Sequence, residues 1–510
     1  MNAFIIALEM VLGICFLTQT GISAQVPVSE STQTCIACHE SIHPGIVEDW
    51  RAGRHAAMTP KLAMAVKGPG LKVSSAAVPE HLKAAAVGCA ECHTLRSASH
   101  QDTFSHNGYD VHVVVSPDDC AVCHSQEQEQ FAKNIMAHAR KNLAENPVYH
   151  QLQETIIGSS VFKEGKVVSE PSDSLTQAET CFYCHGTILQ VTGIQTRDTV
   201  LGEMEFPKID GWPNQGVGRV NPDKSLGACS ACHTRHQFSI KMARKPYTCK
   251  ECHVGPDVPA FKVYTASKHG NIFSSMSDTW NFNAVPWTIG RDFIAPTCAA
   301  CHISQLANVD GDQVAERTHQ VSNRLSWRIF GLIYAHPQPR SPDTTIIKNK
   351  DGLTLPTGFD GSVAKNWLID EKTATDRTAS MQAICRNCHD TGWVTAHWQR
   401  YEHTIRTSNA AVLTATSIMG EIWENRFAEG LSEGKNPFDE AVEKKWQDAW
   451  LFYANTIRFT SAMAGGGDFG VFADGRYHLS ERIRELEEWL DLRYRIDQNS
   501  GRGIPSNTAP

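Results

Sequence analysis

Several things are scarce in this sequence, and each absence excludes something. Positive charge does not dominate: 47 Lys and Arg stand against 55 Asp and Glu, a formal net charge of −8. There is thus no electrostatic case for a nucleic-acid partner. Beyond the N-terminus no stretch approaches the roughly 18 apolar residues that a membrane-spanning helix needs. No internal period recurs, which excludes a solenoid. Strand signals are sparse, "VHVVVS" (111–116) being the best. Cysteine, plentiful up to Cys388, is absent from the rest of the chain.

The one apolar run lies at the start, "MNAFIIALEMVLGICFLTQTGISAQ", and Ile22-Ser23-Ala24 offers a small-residue cleavage site. Residues 1–24 are therefore expected to be a signal peptide that sends the chain to a periplasm-like compartment. The run lacks Lys and Arg and is interrupted by Glu9, so a short membrane anchor is the alternative. Cys15 sits inside it, and Ile14 is too large for a lipoprotein cleavage box.

The other sixteen of the seventeen cysteines occur in eight copies of one pattern, C-x-x-C-H. The copies are Cys35, Cys38, His39; Cys89, Cys92, His93; Cys120, Cys123, His124; Cys181, Cys184, His185; Cys229, Cys232, His233; Cys249, Cys252, His253; Cys298, Cys301, His302; and Cys385, Cys388, His389. Structural zinc needs four ligands, usually as two paired motifs, and a disulfide framework does not demand a His after every second Cys. The pattern is instead the attachment signature of c-type haem. Two thiols at this spacing form thioethers to one porphyrin edge, and the following His reaches the iron. Eight covalently bound haems c are expected.

Fifteen further histidines remain as candidate distal ligands. A low-potential electron-transfer haem commonly has two axial His, whereas a catalytic haem keeps one position open. Counting does not separate seven bis-His haems from eight.

From about residue 400 the text turns helical. The segment 436–465 opens on Asn-Pro, a helix-start signal, and carries Val442, Trp446, Trp450, Tyr453 and Ile457 on one face. "LSERIRELEEWLDLRYRID" reads as a second helix with Ser480 as N-cap and Ile483, Leu486 and Leu490 on one side. These helices serve oligomer packing or simply cover the haem domain. The fold expected is mainly α: residues 25–400 an octahaem cytochrome c domain, 401–497 a helical oligomerisation region, 498–510 a flexible tail.

The motif count and order, with "VHVVVSPDDCAVCH" (111–124), "CSACHTRHQF" (229–238), "CKECHVGPD" (249–257), "SKHG" (267–270) and "RTHQVSNRLSW" (317–327), resemble the octahaem hydroxylamine oxidoreductase family over residues 30–480. The resemblance implies a homotrimer or higher oligomer and a catalytic haem at the fourth motif, with an open iron position above His185. It implies distal ligands at His55, His112, His138, His236, His269, His319 and His397, with His336 and His403 as the nearest substitutes. It implies Asp257 over the catalytic iron; Asp257 works there alone or with Tyr334, the only Tyr between the last two motifs.

Two departures bear on the chemistry. Where the family has Gly-Pro-Asp-His, this chain has Gly255-Pro256-Asp257-Val258, and Val cannot relay a proton. Oxidising members also bond a neighbouring subunit's Tyr to the catalytic porphyrin; the matching position here falls on Phe459, or on Phe472 in another register, with Tyr453 and Tyr477 nearby. The absence of a cross-link points to reduction of nitrite, to nitric oxide, hydroxylamine or ammonium. Oxidation of hydroxylamine or hydrazine is the second reading, and a non-catalytic electron-transfer cytochrome the third. The partners expected are a small inorganic nitrogen compound and redox cytochromes, soluble or membrane-associated.

Overall fold

Proline sets the tempo of the first three quarters of the chain. The short helices Pro44–Arg51, Pro60–Ala65, Pro117–Ala121, Pro147–Ile157 and Pro246–Lys250 all begin on it. At a first helical position the missing N–H costs nothing and φ is already helical. The computed structural model describes residues 26–430, 434–465 and 467–499. The expected signal peptide, Cys15 and nearly all of the expected tail lie outside the described residues.

Between these helices run irregular loops and small antiparallel hairpins. Every sheet among the described residues has two or three strands. Thr103–His106 pairs with Tyr109–His112 through Asn107 and Gly108, both at positive φ, the conformation that a tight two-residue hairpin requires. Two longer hairpins, Ser159–Lys163 with Lys166–Glu170 and Gln190–Thr199 with Gly202–Asp210, flank the fourth motif. The sparse strand signal gave no hint of either; their exposed strands lack the apolar alternation that burial would impose.

Helix Glu371–Cys385 ends on the first cysteine of the eighth motif, and helix Thr391–Glu424 begins two residues after His389. Asp390 caps this 34-residue helix by accepting the Trp393 N–H at 2.9 Å. The expected boundary at residue 400 therefore falls inside a continuous helix.

The long helix packs against Ala441–Asp448, a π-turn Ala449–Tyr453, Ala454–Ala462 and the last helix Arg476–Asn499. Val442, Trp446, Trp450 and Ile457 are buried as their spacing predicts, with Phe438, Trp423, Leu479, Leu486 and Leu490. Two start signals are displaced. Asn436 accepts from the Phe438 N–H and reaches Thr155, so the helix starts at Ala441, capped by reciprocal Glu440–Glu443 contacts. The last helix starts at Arg476 rather than Ser480. Among the described residues no helix is long and apolar enough to cross a membrane.

Candidate functional site: eight attachment motifs

Each motif closes as one helical turn. In four of them the His N–H bonds the first Cys carbonyl: His124 to Cys120 at 2.8 Å, His233 to Cys229 at 3.0 Å, His253 to Cys249 and His389 to Cys385 at 2.9 Å. Residues at i, i+3 and i+4 share a helix face, so both sulfurs and the imidazole point the same way. All sixteen described cysteines are free. Sulfurs of different motifs also meet in pairs: Cys120 with Cys229, Cys184 with Cys252 and Cys249 with Cys298.

The motif histidines are oriented from behind. Nδ1 faces a backbone carbonyl in His93 (His112, 2.8 Å), His124 (Lys72, 3.0 Å), His185 (Ala139, 3.2 Å) and His302 (Val321, 3.4 Å). Such a bond fixes the tautomer and leaves Nε2 for the metal. Burial holds His185 below its ordinary pKa, in the neutral form that an iron ligand must have.

A second imidazole stands across from four of them. Ring centres are 6.1 Å apart for His39 and His106, 6.2 Å for His55 and His124, 6.3 Å for His233 and His319, and 6.2 Å for His269 and His389. A metal–imidazole bond of about 2 Å plus the half-width of the ring separates two trans ligands by about 6 Å. The residues at this spacing therefore fit bis-His haem, whose iron would lie between them. His236 lies near enough to His93 to act on it electrostatically. Haem c, once bound, supplies a redox-active iron at each motif.

The structure places three expected ligands elsewhere. The His112 ring centre is also 6.0 Å from that of His93, but on the side away from Nε2: the His112 carbonyl takes the His93 Nδ1–H, and its own nitrogens face the carbonyls of Leu95 (2.9 Å) and Val114 (3.2 Å). His138 directs Nε2 to the Ala132 carbonyl at 3.0 Å. His397 is buried between Trp393 and Tyr401, its ring near-parallel to both at 11°. His106, missed in sequence, faces His39. The turn that delivers it was legible as Asn107-Gly108, but the partner across the gap was not.

His336 also carries a ligand's signature. It is fully buried, its Nδ1 meets the Pro337 carbonyl at 2.7 Å, and its Nε2 has no partner. Burial and the nearby Arg328 push its pKa down to about 3. His403 is exposed.

Among the described residues, no imidazole ring faces His185 at the trans spacing of the four pairs. Asp257 and Arg328 both act on it, Asp257 raising its pKa and Arg328 lowering it. Arg328 lies over the Phe330 ring, and Phe330 stacks on Phe459 at 5.8 Å. Val258 packs in the same apolar cluster. The bundle holds this pocket: Asn455 donates to the Asp257 carbonyl at 3.0 Å, and the fully buried Arg458 donates to the Ile329 carbonyl at 3.3 Å and to Asn455 at 3.1 Å. Tyr334 lies apart from this group, in the helical core, with its hydroxyl on the Phe359 carbonyl at 2.7 Å.

Residues 220–331 match the family described as "Seven times multi-haem cytochrome CxxCH". A solved structure of a hypothetical multihaem protein is 38% identical, covers 93% of this chain and 98% of its own, and superposes with a TM-score of 0.87. The chain is thus a multihaem c-type cytochrome. A "Probable nitrite reductase-hydroxylamine oxidoreductase fusion protein" of Kuenenia stuttgartiensis is 28% identical over 221 residues, 37% of this chain and 26% of that one. The aligned part thus amounts to about a quarter of that relative. A reducing hydroxylamine oxidoreductase-like complex of the same organism shares the fold, with a TM-score of 0.61 over 92% of this chain and 87% of its own at 16% identity. These likenesses extend in part of the sequence, and in the fold, to proteins of the hydroxylamine oxidoreductase type.

Proposed function

We propose that the chain is an octahaem oxidoreductase of inorganic nitrogen that reduces nitrite at the iron held by His185, the other seven haems serving as the electron supply. The observation that carries this reading is that His185 has no imidazole at the spacing of the four pairs and lies close enough to Asp257 and Arg328 for both charges to act on it. Haem held at Cys181, Cys184 and His185 would supply the electrons for this reduction. Arg328 attracts and orients the nitrite oxygens as a fixed cation. Asp257, on the exposed side, carries protons inward from water. Val258, Phe330 and Phe459 keep the remaining wall apolar and strengthen both charges.

We assign His106, His236, His55, His319 and His269 as distal ligands of the first, second, third, fifth and eighth motifs. His336 serves the sixth or seventh, and His138 or His397 reorients to complete the set.

The reductive direction is supported by the C-terminal aromatics. Phe459 is buried in its own chain against Phe330, while Phe472 is 62% exposed, as a ring meant to meet a neighbouring subunit must be. Neither can bond a porphyrin through oxygen. Tyr453 stacks on His478 at 5.2 Å; Tyr477 is exposed and is the residue through which the oxidative alternative would operate.

The test is turnover of the holoprotein with a chemically reduced viologen donor and nitrite, paired with the mass of the denatured protein. Nitrite consumption and a mass of one chain plus eight haems are expected. No consumption, together with a denaturation-resistant oligomer, would overturn the proposal in favour of hydroxylamine or hydrazine oxidation. No consumption and no carbon monoxide binding would leave an electron carrier.

A further inference from the structure

A buried charge cluster lies between the second and third motifs, outside the site just described. Its centre is His100, whose side chain is wholly inaccessible. His100 Nδ1 is 3.4 Å from Asp102 Oδ1, and its Nε2 is 3.1 Å from Asp119 Oδ2 and 3.7 Å from Asp223 Oδ2. The three carboxylates are 0–1% exposed. Arg96 completes the group, 3.1 Å from Asp119 and 3.3 Å from Asp223.

Carboxylates face both ring nitrogens. A neutral imidazole has one N–H and would turn a lone pair toward one of them; the geometry therefore calls for the imidazolium. Burial pulls against the charge, but the surrounding carboxylates outweigh it and raise the His100 pKa to about 9. The same region brings His100, His112 and Asp119 within metal-ligand reach of one another. However, His112 gives its one N–H to a carbonyl and Arg96 already reaches Asp119 and Asp223, so His100 and Arg96 offset two of the three carboxylate charges without a metal ion.

The cluster grips the support of an iron ligand. The His100 ring stacks on His112 with centres 3.8 Å apart and planes 12° from parallel. Asp102 Oδ2 accepts the N–H groups of Val113 at 2.9 Å and Val114 at 2.8 Å, fixing the two peptides that follow. The His112 carbonyl receives the Nδ1–H of His93. Asp119 itself immediately precedes Cys120 of the third motif.

We propose that His100 is a positioning residue for the second haem: its buried charge and its stack on His112 fix the carbonyl that orients His93, and thereby set that haem's reduction potential. Outer-sphere partners of a metal-bound histidine fix its ring and tune its basicity, and a buried cation stabilises the reduced, less positive iron. The inference needs only the haem attached at Cys89 and Cys92; it survives or fails independently of the nitrite reading.

The test is a potentiometric titration of the full holoprotein, followed optically and by low-temperature EPR. His100→Phe keeps a flat ring against His112 and removes the cation. Asp223→Asn removes one negative charge and leaves the Asp102 and Asp119 contacts in place. His100→Phe is expected to lower the potential of one of the eight haems and to shift its low-spin EPR signal; Asp223→Asn is expected to raise the potential of the same haem. Opposite signs are the signature of charge, since mere loosening would move both variants alike. Unchanged potentials in both, shifts of the same sign, or changes spread over all eight haems would overturn the proposal. If His100→Phe fails to fold, Asp223→Asn alone decides by the presence or absence of its upward shift.

Discussion

Residues 30–390 and residues 391–499 are two solutions to the same problem of filling an interior. The second is an ordinary helical core, with Trp423, Trp446 and Trp450 interlocked by edge-to-face contacts at 5.3–5.7 Å between centres. Two of the three indole N–H groups find partners, Thr416 for Trp446 and Glu443 for Trp423. The first region is short helices and loops around paired cysteines and histidines, and several of its motif histidines turn Nδ1 to a backbone carbonyl. A long helix must bury a continuous apolar stripe. A motif helix of five residues has no such stripe, and its order comes from what is bonded to it.

That contrast can be broken at its strongest point by denying the first region its cofactor. Expressed without haem-attachment machinery, the chain is expected to lose amide-exchange protection across residues 30–390 while protection persists in the helices of 391–499. Uniform loss, or uniform retention, would mean that the two regions do not differ as described. Trp446→Ala works from the other side. Removing a fully buried Trp costs about 3–5 kcal/mol, and thermal melting should fall while the haem spectrum stays unchanged; a spectral change would show that the bundle's packing reaches the irons.

At the seam between the regions, Asp257→Asn should lower nitrite turnover by about 10²-fold, the typical contribution of a positioned proton donor, without altering carbon monoxide binding. Equal turnover would remove Asp257 from the proposed chemistry. The smallest effect belongs to Glu443, buried beneath Trp423, whose pKa desolvation raises to about 7. The folded chain keeps its proton where the unfolded chain has lost it. This contribution to stability is thus present below pH 4.5 and lost as pH rises through about 7. Melting temperatures compared with Glu443→Gln across that window should show the variant's slope to be flatter; parallel slopes would exclude the effect.

Legibility in sequence follows the same division. The attachment motifs were readable because their chemistry is local: five residues in one turn contain both thioethers and the proximal ligand. The bundle core was readable because helical spacing is local too. Distal ligands were not, because each is a contact across a gap between segments far apart in sequence. His55 and His319 stand near His124 and His233, whereas His112 lies behind His93 and His106 stands near His39. Tyr334 illustrates the same limit, since nothing in its neighbours announces a hydroxyl turned toward Phe359.

The junction at Asp390 carries a mechanical consequence. Trp393, the residue that Asp390 caps, lies flat against His389 with ring centres 4.0 Å apart, and no linker separates that ring from a helix of 34 residues. At 1.5 Å per residue the helix is a rod of about 50 Å, clamped at one end to an iron ligand and embedded over most of its length in the bundle. A rod so held has no slack: rotation or tilt anywhere along it is delivered to the His389 ring as torque.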